Sequence, residues 1–335
     1  MPFINEILQF KSLSIVGLEK NTGKTVCLNY VLSQLKNSNK QIAITSIGID
    51  GENKDQVTHT HKPEIEVYEG MLFVTPETLY KKRKLVAEIL EVSSQNTALG
   101  KLITARAKTE GKVIVSGPTT NKSLTAFIKK MQFFGADLTI IDGALSRKSI
   151  GSPAVTEAMI LTTGASLSSS LSQLVFKTTY TYNLINIETV QKELATKLLD
   201  VETGVWSISD ENKLIDLEIN SVLLIDKLKE KLFTFGTRIF VSGAVTDSFF
   251  EFLKNQHQIS EIEIIVRDFT KIFVSPEVYY SFLKKGGKIK VVQKTKLIAV
   301  CVNPISPDGY NLNSEELIKA LEQKIAVPIY DVKNL

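Results

Sequence analysis

Residues 17–25 read Gly-Leu-Glu-Lys-Asn-Thr-Gly-Lys-Thr, and they follow a short apolar run at residues 13–16, Leu-Ser-Ile-Val. The next residues, 26–32, are mainly apolar and contain no proline or glycine, which favours a helix. A strand that leads through a loop of this kind into a helix is the arrangement that phosphate groups occupy in many α/β proteins. The stretch therefore predicts an α/β fold with a mostly parallel sheet flanked by helices.

The residue types in this loop match the chemistry of phosphate binding. Backbone N–H groups of the loop and of the helix N-terminus would point at a polyphosphate, and the helix dipole would favour its negative charge. A lysine adds a positive charge at the terminal phosphates, and the threonine after it can hold Mg²⁺. We therefore predict a P-loop NTPase-type site for ATP and Mg²⁺ that is formed by Gly17, Lys20, Asn21, Thr22, Gly23, Lys24 and Thr25. The chain has no guanine-reading Asn/Thr-Lys-x-Asp motif at a suitable place, which favours ATP over GTP.

The spacing of the loop is a variant. Five residues separate Gly17 from Gly23, where the usual loop has four. Leu18 occupies the place of the usual first glycine, and Lys20 precedes Lys24 by four residues rather than the five of another variant. The wider spacing resembles the loop of dethiobiotin synthetase and its relatives in the deviant P-loop superclass.

Two aspartates are candidates for the second half of the site. Residues 138–142 read Leu-Thr-Ile-Ile-Asp, and a carboxylate at the end of such a strand reaches Mg²⁺ directly or through water in P-loop sites. Asp50 follows the apolar run at 41–47 and is expected at the same sheet edge, because parallel sheets bind ligands at the carboxyl ends of their strands. We predict Lys24, Asp50 and Asp142 as catalytic residues and Thr25, Asp50 and Asp142 as metal ligands. A helix cap or turn aspartate is the alternative for either acid.

Composition limits the class of protein. The 335 residues suffice for two domains, and 43% hydrophobic with 23% charged residues is typical of a soluble globular protein. The net charge of +4 is spread along the chain, so no nucleic-acid partner is expected. The chain has only two cysteines, no signal-peptide pattern and no apolar stretch of membrane-spanning length. We therefore predict a cytoplasmic protein without a membrane partner.

The remaining chain alternates between predicted strands and helices. A helix is predicted to start at Thr75 or Pro76 and to continue through Tyr80, Val86 and Ile89. A domain boundary is predicted near residue 210. Residues 1–209 would form the nucleotide-binding domain, and residues 210–335 would form a C-terminal α/β domain or an extension of the first sheet.

Other residues near the predicted site allow weaker interpretations. His59 and His61 would share one face of a strand, but no third ligand at suitable spacing accompanies them, so a metal site is not favoured. Arg147 lies in a loop after Asp142, where it would either contact substrate or remain solvated. Gly164 would let a loop approach the nucleotide.

Three segments together resemble a known family. Residues 15–25, 140–147 and 302–307 with 327–332 are similar to the ATPase-like subunit that accompanies adenosylcobalamin-dependent lysine 5,6-aminomutase and its ornithine relatives. The resemblance implies a reactivase, which acts with a second reactivase subunit to remove damaged cobalamin from an inactivated aminomutase. Lys24, Thr25 and Asp142 would then carry nucleotide and metal, and residues 51–62 would move during the cycle. Deviant P-loop proteins often act as dimers, so the resemblance also allows a homodimer.

Two other classes remain open from the sequence. A dethiobiotin synthetase-like ATP-dependent ligase would use Lys20 and Arg147 to hold a small carboxylate or amine substrate and its phosphorylated intermediate. A regulatory protein would bind nucleotide without hydrolysing it. The reactivase would be an ATPase that responds to the aminomutase, and the ligase would turn ATP over in response to its small substrate. The regulatory protein would not turn ATP over.

Overall fold

The structure is a computed structural model, and it describes residues 3–47, 64–118, 120–144, 151–223, 231–331 and 333–334. Its contacts divide the chain into two compact units. We call residues 1–178 with 295–335 the first unit and residues 179–294 the second unit. Both units are mixed α/β, and the prediction of a large, mostly parallel sheet flanked by helices is confirmed.

The first unit is built on a nine-stranded sheet with the order β18-β17-β9-β1-β8-β2-β4-β6-β5. The pairs from β18 through β4 are all parallel, whereas β6 is antiparallel to both β4 and β5. A short antiparallel pair, β3 with β7, accompanies it. The strands of this unit are β1 (Ser12–Gly17), β2 (Ile42–Ser46), β3 (Ile65–Val67), β4 (Leu72–Pro76), β5 (Ala87–Thr97), β6 (Gly100–Ala107), β7 (Gly111–Val113), β8 (Leu138–Ala144), β9 (Ala158–Gly164), β17 (Lys296–Asn303) and β18 (Ile329–Asp331).

Helices cover both faces of this sheet. Ile42 and Ile44 of β2 belong to a buried cluster with Leu28, which lies on the helix after the loop at 17–23. Ala43, between them, belongs to a cluster with Phe127 on the opposite face, because successive side chains of a strand alternate in direction. The helices are α1 (Ile4–Ile7), α2 (Lys24–Leu35), α3 (Glu77–Tyr80), α4 (Asn121–Phe133), α5 (Leu171–Ile185) and, near the C-terminus, α9 (Ser314–Glu322). None of the helices described in either unit is long and apolar enough to cross a bilayer.

The second unit has its own five-stranded sheet with the order β11-β10-β12-β14-β16. The neighbours β12, β14 and β16 are parallel, and β10 is antiparallel to both β11 and β12. Its elements are α6 (Lys192–Leu199), β10 (Val205–Ile208), β11 (Leu214–Ile219), β12 (Arg238–Val241), β13 (Val245–Thr246), α7 (Asp247–Lys254), β14 (Glu263–Val266), β15 (Ile272–Phe273), α8 (Pro276–Lys284) and β16 (Lys288–Val291).

The division into units differs from the boundary predicted near residue 210. The first unit ends within α5, and the chain returns to it after residue 294 to form β17 and β18. The segment 295–331 extends the first sheet, which was one of the two predicted arrangements for the C-terminal half. The second unit is therefore an insertion between β9 and β17, two strands that pair directly with each other.

One predicted helix is wrong in its second half. The helix α3 ends at Tyr80, and residues 87–97 form β5 at the edge of the sheet. Val86, Ile89 and Val92 are exposed, so their spacing does not mark the buried face of a helix. The antiparallel pairing of β5 with β6 prevails over the local pattern, because strand preference depends strongly on neighbouring strands.

Candidate functional site

The loop at residues 17–23 joins the central strand β1 directly to α2. Gly23 has φ of 86°, a left-handed conformation that glycine adopts without the steric cost of a side chain. A Cβ at this position would also lie 2.8 Å from the Cβ of Asn303. Asn21 is left-handed as well, with φ of 60°. Glycine is therefore required at position 23 both by the left-handed backbone and by the close approach of Asn303.

The other end of the loop is tied to strand β9. The backbone N–H of Leu18 donates to the carbonyl of Thr162 at 2.9 Å. The buried Thr22 hydroxyl donates to the carbonyl of Glu19 and shares a 3.0 Å hydrogen bond with the Thr162 hydroxyl. A Cβ at Gly17 would lie 2.7 Å from the Thr22 hydroxyl oxygen, so the loop closes tightly on itself.

The N-terminus of α2 follows this loop without a capping side chain. Gly23 is the N-cap residue, and its carbonyl accepts the first helical hydrogen bond, from the N–H of Cys27 at 2.9 Å. In such a helix the N–H groups of the first turn have no intrahelical acceptor, and the helix dipole adds partial positive charge there. The first turn contains no acidic residue, so this charge is not offset locally. The N-terminus of α2 is therefore suited to bind an anion.

Lys24 lies in that first turn and forms an ion pair with Asp142. Its Nζ is 2.9 Å from Oδ1 of Asp142, which is only 7% exposed. The register of β8 places Asp142 beside Ile15 of β1 and Ser46 of β2. Oδ1 has no partner with hydrogen-bond geometry among the described residues, so the ion pair compensates this buried oxygen only in part.

The structure brings most of the predicted binding residues together. Gly17, Asn21, Thr22, Gly23 and Lys24 have the positions given above. Thr25 is half-buried in the first turn of α2, and Lys20 is exposed on the loop. Asp50, His59, His61, Arg147 and the segment 51–62 lie outside the described residues. Of the two predicted acids, the described residues include Asp142, and its carboxylate pairs with Lys24.

Thr162 and Asn303 were not predicted, although both contact the loop. Each stands at or near the carboxyl end of a strand that pairs in parallel within the sheet, β9 and β17. The sequence signal that could have identified both residues is a polar side chain at or near the carboxyl end of an apolar strand. A Cβ at Gly164 would lie 2.2 Å from the carbonyl oxygen of Asn303. The small size of Gly164 serves the close contact between β9 and β17.

A pair of buried thiols lies beneath the site. The sulfur atoms of Cys27 and Cys301 are 3.6 Å apart, and both residues are free cysteines. The hydrogen bond from Cys27 and burial raise the pKa of the Cys301 thiol well above its ordinary value. The Cys301 thiol therefore stays protonated, and both buried cysteines pack as small apolar groups.

The described residues contain no group of three or more histidine, cysteine or acidic side chains that could hold a metal ion by themselves. A Mg²⁺ ion in a nucleotide site differs from such a cage, because it uses one or two protein ligands together with phosphates and water. The Thr25 hydroxyl and the Asp142 carboxylate are oxygen donors of the kind that Mg²⁺ prefers, and Oδ1 of Asp142 lacks a hydrogen-bond partner among the described atoms. These donors fit a nucleotide-bound ion.

A scan against models of known protein families gives no match for this chain. A search of curated proteins gives no significant match either. The resemblance of residues 15–25 to reactivase subunits therefore stays a prediction, and the function is inferred from the geometry of the loop and its neighbours.

Proposed function

We propose that this chain binds ATP with Mg²⁺ at the carboxyl ends of β1 and β8, in a site of the P-loop NTPase type, and hydrolyses it. The single observation that carries the proposal is the loop at 17–23, whose left-handed Gly23 leads directly into the uncapped N-terminus of α2. Residues 17–25 supply backbone N–H groups, a lysine and a hydroxyl within one short segment.

The ion pair between Lys24 and Asp142 explains how the residues would respond to a nucleotide. A buried carboxylate needs a compensating charge, and Lys24 provides it at 2.9 Å. Phosphate oxygens would compete with Asp142 for the Lys24 ammonium group. Asp142 would then need a new cation, which Mg²⁺ supplies when it is bound with the nucleotide. Nucleotide and Mg²⁺ should therefore bind cooperatively.

The finer part of the proposal is the reactivase role that the sequence resemblance implies. ATP binding and hydrolysis would alternate two conformations with different affinities for an inactivated aminomutase, and a second reactivase subunit would take part. The wider glycine spacing, five residues between Gly17 and Gly23, favours the ligase as the second candidate. The two differ in what stimulates ATP turnover.

Binding of Mg-ATP to the purified protein, measured by titration calorimetry, tests the site. Lys24→Ala should weaken binding about 30-fold or more, because a truncated charge pair in a desolvated site costs about 2–5 kcal/mol. Lys36→Ala is the matched control, since Lys36 follows the last residue of the same helix and pairs with exposed Glu110. Binding that survives in Lys24→Ala would contradict the proposed site.

Steady-state ATP hydrolysis separates the candidate functions. We expect turnover to rise when a cobalamin-inactivated aminomutase and the second reactivase subunit are added, and Lys24→Ala to abolish the rise. Turnover that ignores the aminomutase but rises with a small carboxylate or amine plus bicarbonate would favour the ligase. Binding without turnover under either condition would favour a regulatory protein.

A further inference from the structure

Asn303 contacts the nucleotide loop from a strand that is distant in the sequence. Its side-chain Nδ2 donates to the backbone carbonyl of Asn21 at 3.0 Å. Its Oδ1 accepts from the backbone N–H of Ile305 at 3.3 Å. These two contacts assign the orientation of the amide group, because the oxygen faces a donor and the nitrogen faces an acceptor.

The bond to Asn21 controls a peptide group that the loop needs. Asn21 has φ of 60°, which is uncommon for a residue other than glycine and must be held by its surroundings. The peptide unit is planar and trans, so a carbonyl that is held toward Asn303 directs the N–H of Thr22 to the opposite side. Fixing one acceptor therefore orients one of the donors that an anion-binding loop requires.

Asn303 is itself held rigidly. It is the last residue of β17, which lies between β18 and β9, and it pairs in register with Gly164. Its Cβ packs against Gly23, where an added Cβ would be only 2.8 Å away. The side chain thus supports the loop at both left-handed residues, Asn21 and Gly23.

We propose that Asn303 is a positioning residue, which holds the loop at 17–23 in its anion-binding conformation through the hydrogen bond to Asn21. The inference rests on the proposed function for the value of that conformation, although the holding of the loop can be measured without nucleotide.

Three variants separate the hydrogen bond from packing and from general loosening. Asn303→Ala removes the amide group and keeps the Cβ that packs on Gly23, whereas Asn303→Leu fills the space of the amide with an apolar group of similar size and removes both the Nδ2 donor and the Oδ1 acceptor. Tyr310→Phe is the matched control. Its hydroxyl donates to the carbonyl of Ala165 at 2.7 Å, from the same connection after β17, and does not contact the loop.

Hydrogen exchange of the nucleotide-free protein is the first measurement. Peptides that cover residues 17–27 should exchange about fivefold faster in Asn303→Ala and Asn303→Leu than in the wild type, as expected for the loss of one hydrogen bond. The same peptides should be unchanged in Tyr310→Phe. Unchanged exchange in both Asn303 variants, or equal acceleration in Tyr310→Phe, would overturn the inference.

Affinity for Mg-ATP and thermal stability are measured on the same proteins. Both Asn303 variants should raise the Kd about 5- to 10-fold, while their melting temperatures stay within about 2 °C of the wild type. A fall in melting temperature with an unchanged Kd would mean a purely structural role and would overturn the inference. A wild type that does not bind Mg-ATP would refute the proposed function, and the exchange data would still decide whether Asn303 holds the loop.

Discussion

Each of the two units contains a buried carboxylate paired with cationic side chains, but the two are compensated differently. Glu263 in the second unit is 9% exposed and pairs with Arg238 at 3.3 Å and Lys290 at 3.1 Å. Asp142 in the first unit is 7% exposed, and among the described residues it pairs with one cation, Lys24. Glu263 stands at the amino end of β14, whereas Asp142 lies near the carboxyl end of β8, where parallel sheets bind ligands.

The loops that follow the central strands of the two units also differ, because only one of the two leads to a helix with an acid in its first turn. Residues 242–246 lead from β12 to α7, whose first residue is the acid Asp247. The carboxylate of Asp247 accepts hydrogen bonds from the N–H and hydroxyl of Ser275, just before α8. In the first unit the corresponding helix begins with Lys24 and has no acid in its first turn. An acid in the first turn of a helix offsets the positive end of the helix dipole. A lysine there does not, so the helix N-terminus can bind an external anion.

The comparison separates a structural polar group from one that can change partners. Glu263 has two cationic partners and the Asp247 carboxylate accepts from the N–H and hydroxyl of Ser275, so neither needs a ligand. Within the part of the chain that the structure describes, Asp142 has one cationic partner, and that partner, Lys24, belongs to the segment predicted to bind phosphate. Similar β-α architecture therefore yields packing in one unit and a candidate site in the other.

Among the variants that compare the two units, Gly23→Ala has the largest expected effect. An alanine there must adopt φ of 86° and brings a Cβ within 2.8 Å of the Asn303 Cβ, so we expect at least about a tenfold loss of Mg-ATP affinity. Gly243→Ala is the matched control in the second unit, because a Cβ there meets nothing within 4 Å. Titration calorimetry of both variants checks the prediction, and equal affinities would contradict the difference between the loops.

Glu263→Gln should affect stability and leave nucleotide binding unchanged. Its partners Arg238 and Lys290 have side chains that are 29% and 35% exposed, so solvent screens part of the loss. We expect the free energy of unfolding to fall by about 1–2 kcal/mol, between the values for surface and buried pairs. Urea denaturation measures it, with exposed Glu261→Gln as control. A loss of Mg-ATP affinity in Glu263→Gln would break the assignment of this pair to structure alone.

Asp142→Asn should change the response to Mg²⁺. Without the carboxylate, Lys24 is no longer held, so ATP should bind about fivefold better in the absence of Mg²⁺. Addition of Mg²⁺ should then improve binding less than it does in the wild type, because one predicted ligand is missing. Asp137→Asn is the control, as Asp137 precedes β8 and is exposed. An unaltered Mg²⁺ effect in Asp142→Asn would remove Asp142 from the site.

The parts of the fold that depend on local pattern were predictable. The loop at 17–23 has a conformational requirement for glycine, and the apolar run before it is buried along its whole length. The strand that ends near Asp142 was predicted from five consecutive residues, 138–142, because strands buried on both faces are apolar throughout. These signals lie within short segments, so the sequence carries them without reference to distant residues.

Features that depend on distant pairing were not predictable in the same way. The helix predicted through Ile89 runs into the first residues of β5, where the pairing with β6 outweighs the spacing of the exposed apolar residues. The prediction for residues 210–335 left a separate domain or an extension of the first sheet open, and the pairing of β17 with β9 places residues 295–331 in the first sheet. Both features depend on hydrogen bonds between strands, and no local sequence pattern specifies which strands pair with each other.

The sequence by itself determined the glycine-containing loop between β1 and α2, its lysine and threonine, and the acidic residue near the carboxyl end of the core strand β8. Only the tertiary structure decided which residues support them. Thr162 and Asn303 contact the loop from strands 140 and 282 residues away, and Lys24 meets Asp142 across the sheet. The physical reason is that backbone conformation follows from local sterics, whereas a hydrogen-bond partner follows from the order of strands in the sheet.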